Sequence, residues 1–349
     1  MKNCYINGIG TIGIQHPDYK LLEQEPQALF ARNQAQHPVY KELIPAASLR
    51  RMATGVKMGC YAAQLALQEA QQPALDAIIC GTGQGCLQDS EKFLTAMIAQ
   101  DEEYLTPTSF IQSTHNTVAA QIALQLQCHA YNFTYVQGGS SFESALFDGL
   151  NQLNYSNAQH ILVGGVDEHA PQFDDLYTLA GNYKAEDEAV DFKNPTQGGV
   201  AQGEGANFFL LSQEQQANSY AQLLDVWLFN QPQRSIATEI MQFLSLNNLQ
   251  SKDIDVLMLG YNADASQQAY FDAMAACFPE TAIAYYQHIS GSYDTASAYG
   301  LAAAAQVLKA QQFPAHLSYN SIKPNRLKTI LLINQSRGTD YSFVLLTAC

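Results

Sequence analysis

The stretch Asn132-Phe-Thr-Tyr-Val-Gln137-Gly-Gly-Ser-Ser-Phe-Glu-Ser-Ala-Leu146 changes character at its centre. Its first five residues are mostly β-branched or aromatic, which favours a strand. The two glycines favour a sharp turn, and the residues after them are typical of a helix. We therefore predict a strand over residues 132–136, a turn at Gln137, and a helix that continues to about Leu153. Gln137 is a neutral primary amide at the start of that helix, and it cannot be acylated.

Further strands and helices alternate along the rest of the chain, which predicts a mixed sheet covered by helices on both faces. We predict other strands over residues 4–9, 77–80, 160–165, 203–211, 254–260, 329–334 and 341–347. Other helices are predicted to end near residue 71 and to cover residues 89–100, 116–127, 267–277 and 295–311, and a loop is predicted around Pro107. The pattern restarts near residue 220, so we divide the chain into lobes 1–218 and 219–349.

Length and composition indicate a globular protein with a large core. The chain has 349 residues, of which 47% are hydrophobic and 14% are charged. No segment approaches the roughly 18 uninterrupted apolar residues of a membrane span. The first ten residues are typical of an opening strand rather than a signal peptide. We therefore expect a cytoplasmic protein.

The balance of charge excludes two classes of partner. The formal net charge is −15, from 32 acidic and 17 basic residues. Nucleic acids and anionic membrane surfaces both require basic patches, so we expect neither as a partner. Seven scattered cysteines without C-x-x-C spacing predict reduced thiols, with no disulfide framework and no metal site.

The glycine-rich segment Gly81-Thr-Gly83-Gln-Gly85 follows a predicted strand. A dinucleotide site requires G-x-G-x-x-G spacing and an acidic residue about 20 positions further on, at the end of a second strand. This segment has neither feature. It predicts a tight turn, and we expect no cofactor.

Several segments, taken in order, resemble the β-ketoacyl synthases of the thiolase superfamily. The similarity covers essentially the whole chain and implies the five-layered α-β-α-β-α thiolase-like fold made of two similar lobes. It also implies that Gln137 occupies the position of the nucleophilic cysteine. The matching segments are Arg50-Arg51-Met52, Gly81–Gly85, Phe110–Thr114 with Asn116–Ala120, Asn132–Leu146, Gly164–Asp167, Gly198–Ala206 and an altered glycine loop over Asn334–Asp340.

The resemblance also locates the other catalytic positions. A condensing enzyme of this family uses a thiolate, two histidines and a lysine. Here Asp264 stands at the first histidine, Gln287 at the lysine and Ser292 at the second histidine. With Gln137, all four catalytic positions are changed, which implies that the chain is not catalytic by itself.

Four other residues are candidate substitutes. The resemblance places His115 in the segment that crosses the dimer axis, where a packed or interface histidine is expected rather than a general base. His288 lies next to the lysine position, but on a strand its side chain would point to the opposite face. Cys128 and His129 are adjacent on a predicted helix end and would not face each other. We therefore expect no alternative nucleophile and base pair.

Glutamine at the nucleophile position occurs in two kinds of ketosynthase-like protein. Loading decarboxylases keep both histidines, whereas chain-length factors lose the remaining machinery and serve as obligate partners of an active ketosynthase. Asp264 and Ser292 favour a chain-length factor that works in a heterodimer with a cysteine-bearing ketosynthase, which itself receives the acyl carrier protein. Three alternatives stay open: a homodimeric scaffold, a malonyl-carrier-protein decarboxylase, and an unrelated thioester enzyme. The Phe110–Thr117 and Ser141–Ser144 segments resemble proteins of aryl-polyene and flexirubin-type pigment pathways.

The resemblance further implies where a partner binds. In this family the elbow strand pairs antiparallel with its counterpart across the dimer axis, and one helix after the glycine turn limits the acyl tunnel. The expected dimer-interface residues are Phe110, Ile111, His115, Phe133, Thr134 and Tyr135, and the expected tunnel-gating residues are Cys86, Asp89 and Phe93.

Overall fold

A computed structural model describes residues 2–72, 74–185 and 189–349. Within these residues the chain forms a single sheet of ten strands, flanked by helices. The strands are β1 (Tyr5–Ile12), β2 (Ala77–Gly81), β3 (Tyr131–Tyr135), β4 (His160–Asp167), β5 (Gly205–Ser212), β6 (Ala221–Asn230), β7 (Val256–Leu259), β8 (Ala282–Tyr285), β9 (Thr329–Ser336) and β10 (Asp340–Thr347). The helices are α1 (Ala46–Leu49), α2 (Thr54–Ala70), α3 (Leu87–Ala99), α4 (Pro107–Ser113), α5 (Thr117–Leu126), α6 (Ser141–Tyr155), α7 (Pro171–Leu179), α8 (Ile236–Leu246), α9 (Gln268–Ala275), α10 (Gln287–Ser290) and α11 (Ser297–Ala310).

The sheet consists of two halves with the same internal order. The strands run β3-β2-β4-β5-β1-β6-β10-β9-β7-β8, so the second half repeats the first in reverse. In each half one central strand is parallel to both neighbours, β2 to β3 and β4, and β7 to β8 and β9. The halves join only where Tyr5 pairs with Gln222 and Ile6 with Ala221. The two lobes are therefore similar, as predicted, while the division at residue 218 stays a prediction.

Helices occupy three layers around the two half-sheets. Helices α6 and α11 contact each other and lie in the middle, and strands of both halves pack on them. Helices α2 and α5 cover the outer face of the first half, and α8 and α9 contribute to the apolar core outside the second. The alanine-rich α11 is enclosed on nearly every side, which suits a helix in the middle of a large protein. The predicted five-layered α-β-α-β-α arrangement is confirmed.

Most predicted elements are present with ends shifted by one to three residues, and a few were missed. Strands β6 and β8 and helices α7 and α8 were not predicted. The predicted loop at Pro107 is wrong, because Pro107 is the first residue of α4, where its fixed φ and missing N–H are both tolerated. None of the helices described here combines the length and the apolar character needed to cross a membrane.

Candidate functional site: a cleft at the elbow

The elbow forms as the sequence predicts, and its geometry fixes Gln137. Strand β3 ends at Tyr135, a single 3₁₀ turn covers Gly138–Ser140, and α6 begins at Ser141. Gly138 has φ +53°, in the left-handed region that a glycine enters without steric cost. The backbone N–H of Gln137 donates to Ser141 Oγ at 2.8 Å, and its side-chain Oε1 accepts from Ser144 Oγ at 2.5 Å. The amide is therefore held by the helix that would otherwise support a thiolate.

All four altered catalytic positions line one cleft of about 820 Å³. Gln137 comes from the elbow, and Asp264 from the loop after β7. Gln287 is the first residue of α10, and Ser292 follows that helix. The structure thus brings together the residues that the resemblance selected from distant parts of the sequence.

The Asp264 carboxylate acts only as an acceptor. Its Oδ1 accepts from the backbone N–H of Ser266 at 2.9 Å and from Ser266 Oγ at 2.7 Å, and its Oδ2 accepts from Gln267 Nε2 at 2.9 Å. A histidine at this place would offer a donor to an enolate oxygen. Both oxygens of the Asp264 side chain are instead occupied as acceptors by Ser266 and Gln267.

Ser292 is placed by the glycine-rich run before β5. Its backbone N–H donates to Ala201 O at 2.8 Å, and its carbonyl accepts from the N–H of Gly203 at 3.0 Å. A Cβ atom on Gly203 would overlap the carbonyl oxygen of Ser290, so only glycine allows this close approach. The resemblance in this run therefore reflects a packing requirement between the lobes.

His288 is excluded from the cleft, although for a different reason from the one predicted. It lies on helix α10 rather than on a strand, so the argument from strand alternation is wrong. Its ring stacks on Tyr285 at a centroid distance of 3.8 Å and lies 6.3 Å from the ring of His316. Burial, with smaller contributions from His316 and Lys193, lowers the pKa of His288 to about 3, so the ring is neutral at pH 7.

Cys128 and His115 also lie outside the cleft lining. Helix α5 ends at Leu126, so Cys128 follows the helix, and its thiol contacts the carbonyl of Leu75 at 3.7 Å. His115 is exposed and packs against Gly85 of the glycine turn. The seven cysteines are free thiols, as predicted. Within residues 2–72, 74–185 and 189–349, no group of His, Cys, Asp or Glu is arranged to hold a metal ion.

The glycine turn Gly81–Gly85 is hydrogen-bonded to the end of β4. Asp167 accepts from Thr82 Oγ1 at 2.9 Å and from the Gly83 N–H at 2.8 Å. It also accepts from the N–H and Oγ1 of Thr295, at 2.9 and 2.8 Å. One buried carboxylate thus connects the turn, strand β4 and the start of α11.

The cleft is strongly acidic, which the sequence did not reveal. Six carboxylates line it, against one arginine, Arg337. His169 pairs with one of these carboxylates, because its Nδ1 lies 3.3 Å from the Asp174 side chain. Its Nε2 lies 2.7 Å from Asn33 O. Burial alone would lower the pKa of His169, but these contacts raise it. The acidic residues are Asp167, Glu168, Asp174, Asp264, Asp294 and Asp340.

The outer edge of β3 carries an exposed apolar surface. Strand β3 is at the end of the sheet and pairs only with β2 among the described strands. Phe133 is 45% exposed, and on α4 Phe110 and Ile111 are 54% and 56% exposed. We call the exposed apolar side chains of α4, of β3 and of the residue after β3 the edge surface. It comprises Phe110, Ile111, Tyr131, Phe133 and Val136. Thr134 and Tyr135, also predicted at the interface, are half-buried beside it.

The three expected gating residues differ in their surroundings. Cys86 immediately precedes α3 and is buried in the core beside α2, and Asp89 is buried 4.0 Å from Lys92. Phe93 is half-buried, and its ring lies 5.3 Å from that of Phe110. Of the three, Phe93 is the residue whose side chain contacts the edge surface.

Comparison with known proteins agrees with the fold and with the elbow. Residues 22–185 match the family of β-ketoacyl synthase N-terminal domains. Comparison with curated protein sequences gives no match.

Solved structures extend the likeness to the whole chain. A structure described as the ishigamide ketosynthase/chain length factor has a TM-score of 0.82 at 15% identity, covering 100% of this chain and 99% of that one. A ketosynthase (ApeO) in complex with its chain length factor (ApeC) from Xenorhabdus doucetiae has a TM-score of 0.78 at 14% identity, covering 100% and 98%. A β-ketoacyl synthase from Burkholderia phymatum STM815 has a TM-score of 0.78 at 14% identity, covering 100% of both chains. At these identities the likeness establishes the fold.

Proposed function

We propose that this chain is a non-catalytic chain-length-factor subunit of a heterodimeric ketosynthase. The observation that carries the proposal is the state of the cleft. Its elbow holds Gln137, whose amide is fixed by Ser144, and the three other catalytic positions hold Asp264, Gln287 and Ser292. None of these four positions holds the thiolate, the histidines or the lysine that a condensing enzyme uses.

The proposed partner is a ketosynthase that carries the missing cysteine. It would pair its own elbow strand with the free edge of β3 and cover the edge surface. An unpaired strand with exposed aromatic side chains is otherwise a site of uncontrolled association, so it suits an obligate interface. Other proteins of this fold, described as the ishigamide ketosynthase/chain length factor and as ApeO in complex with its chain length factor ApeC, pair a ketosynthase with such a factor, which supports the proposal.

The proposed reaction of the pair is decarboxylative condensation of acyl and malonyl thioesters. Another structure of the same fold is described as an acyl-carrier protein in complex with its ketosynthase, with a TM-score of 0.76 at 15% identity. We place the carrier protein on the partner, because the cleft of this chain is acidic and so repels malonyl and phosphate groups. The Phe110–Thr117 and Ser141–Ser144 segments favour aryl-polyene or flexirubin-type pigment synthesis as the pathway.

Phe93 is the proposed determinant of chain length. It is half-buried on α3 and packs on Phe110, at the surface that the partner would cover. A growing acyl chain that reaches the interface would meet this aromatic pair. The proposed role is steric, and Cys86 and Asp89 would hold the start of α3 rather than contact the chain.

The test is co-expression with a ketosynthase encoded nearby, followed by co-purification and a condensation assay with acyl and malonyl carrier proteins. We expect a stable heterodimer, and condensation that requires both chains. A stable homodimer that leaves the ketosynthase fully active alone would favour the scaffold alternative. Carbon dioxide release from malonyl carrier protein by this chain alone would favour the decarboxylase alternative.

A further inference from the structure

The side of the molecule that carries the free edge of β3 also exposes parts of two further layers. Helix α6 contacts both β3 of the first half-sheet and β6 of the second. Strand β6 pairs with β1 only at Ala221 and Gln222, so beyond these residues its edge opposite β10 pairs with none of the strands described here. Two unpaired strand edges therefore flank α6.

Helix α6 lies in the middle layer, yet one of its large apolar residues faces outward. Most of the helix is enclosed, and Phe142, Leu146, Leu150 and Leu153 are at most 4% exposed. Phe147, by contrast, is 43% exposed. A single exposed aromatic residue is common at protein surfaces, so the surroundings of Phe147 decide its role.

Phe147 borders a groove of about 810 Å³ between the elbow and β6. The groove is lined by Tyr135 of β3, by Phe147 of α6 and by residues 226–230 of β6. The ring of Tyr135 lies 4.9 Å from that of Phe133, which belongs to the edge surface. The groove is therefore continuous with the surface to which the ketosynthase is proposed to bind.

The edge surface alone is too small for an obligate partner. Its five residues are 41–56% exposed. They offer about 500 Å² in total, if each has about 200 Å² of surface when fully exposed. Obligate pairs bury at least about 1,000 Å² on each partner. The interface must therefore extend beyond the edge surface, and the groove adjoins it.

The proposed strand pairing determines what would face the groove. Two like strands that pair antiparallel are related by a two-fold axis perpendicular to the sheet, so both chains keep their layers at the same level. The helix that follows the partner's elbow strand would then lie opposite α6.

The space between these two helices would be wide. Helix α6 contacts β2 and β4 as well as β3, so at least three strand spacings, about 14 Å, would separate it from its counterpart. Helices that pack directly are about 8–10 Å apart. Large side chains are therefore needed to fill the space.

We propose that the partner ketosynthase fills this groove with a bulky apolar side chain from the helix that follows its own elbow strand, packed against Phe147. The inference rests on the proposed function, because it assumes the ketosynthase partner. It adds a second anchor to the interface, one layer away from the edge surface. The groove also reaches Gln137, so the same side chain would pack near the elbow of this chain.

Photocross-linking of the purified heterodimer identifies the occupant of the groove. Phe147→p-benzoylphenylalanine places a photoreactive side chain at its wall, and mass spectrometry of the digested adduct locates the cross-linked residue. We expect cross-links to the helix that follows the partner's nucleophilic cysteine. The same substitution at Leu246, which is 61% exposed on α8, should give no cross-link to the ketosynthase. Cross-links from position 147 to another copy of this chain, to a different segment of the ketosynthase or to nothing would overturn the inference.

The dissociation constant of the pair, measured by dilution of the labelled heterodimer, provides a second test. Phe147→Ala should raise this constant about tenfold, because it removes an anchor from the interface. Leu246→Ala should leave the constant unchanged. Equal dissociation constants for the two variants would contradict the inference.

Failure of this inference can be told apart from failure of the proposed function. Phe133→p-benzoylphenylalanine, at the edge surface, should cross-link to the ketosynthase whether or not the groove is filled. If position 133 cross-links and position 147 does not, the pairing stands and the groove is not part of it. If no heterodimer forms, the proposed function is wrong, and this inference is wrong with it.

Discussion

The rings of Phe93 on α3 and Phe110 on α4 lie 5.3 Å apart, centroid to centroid, and are tilted by 47°. Phe93 belongs to the helix expected to limit the acyl tunnel, and Phe110 belongs to the edge surface. The contact therefore links the two proposed properties of the chain, product length and partner binding. A substitution at one ring would change the packing of the other.

Replacing Phe93 with alanine should lengthen the product of the assembled pair. The substitution removes one ring of the Phe93–Phe110 pair and leaves space for additional carbon atoms of the acyl chain. Mass spectrometry of the released acyl chains measures the effect. Ile98→Ala on the same helix is the control, because Ile98 is 79% exposed and lies about one and a half turns of α3 beyond Phe93. Identical product lengths from both variants would remove Phe93 from the account.

A charge at the edge surface should prevent assembly. Phe133→Asp places a carboxylate on β3 where the partner strand would exclude water, and burying an unpaired charge there costs several kcal/mol. We expect the ketosynthase to be lost from affinity purification of the variant. Leu246→Asp places the same charge at a leucine on α8 that is 61% exposed, and it should retain the partner. Retention of the partner by Phe133→Asp would place the interface elsewhere.

Gln137 should be dispensable for condensation by the pair. Gln137→Ala removes the hydrogen bond with Ser144, which contributes less than about 1 kcal/mol at an exposed position. We expect the condensation rate of the heterodimer to change by less than about twofold, since the bond-forming residues lie in the partner. Ser144→Ala is the matched variant for the same hydrogen bond. A large loss of rate with Gln137→Ala alone would indicate a direct chemical role for the amide.

The stability of the chain should respond to pH through Asp294. Its pKa is raised from 3.8 to about 7 by burial, so the folded state holds a proton that the unfolded state has released. The stability that this proton provides is present below about pH 4 and is lost as the pH rises through about 7. Asp294→Asn should therefore stabilise the protein more at pH 8 than at pH 4, by about 1–2 kcal/mol after screening by water in the cleft. Thermal unfolding at both pH values measures this difference, and an equal effect at both would contradict it.

Gly203→Ala should destabilise the junction between the lobes. Its added Cβ would overlap the carbonyl oxygen of Ser290, and overpacking of this kind costs about 1–3 kcal/mol. Gly13→Ala is the control, because a Cβ there meets no atom within 4 Å. Denaturant unfolding of the two variants should differ by that amount. Equal stability would mean that the Gly203 backbone moves without cost.

The fold could be predicted from the sequence to the extent that its elements are locally encoded. The elbow was predicted because a β-branched strand, two glycines and a helix follow one another within fifteen residues. Strand β8 was missed because Ala282–Tyr285 is a short apolar run, which does not distinguish a strand from a buried helix segment. Helix α4 is not predicted because a proline such as Pro107 is typical of a loop as well as of the first residue of a helix.

The candidate site was only half predictable. Asp264, Gln287 and Ser292 were found because a family pattern relates their positions to Gln137. The acidic lining of the cleft belongs to no such pattern, because its carboxylates come from the end of β4, from α7 and from the segment before α11. They meet only when these segments pack together, so no local sequence signal marks the acidic cleft.

The central claim is that the partner carries the acyl group and this chain does not. Intact-protein mass spectrometry of both subunits, after incubation of the heterodimer with an acyl carrier protein thioester, measures this directly. The account predicts the mass of one acyl group added to the ketosynthase and an unchanged mass for this chain. An acyl group covalently bound to this chain would contradict it.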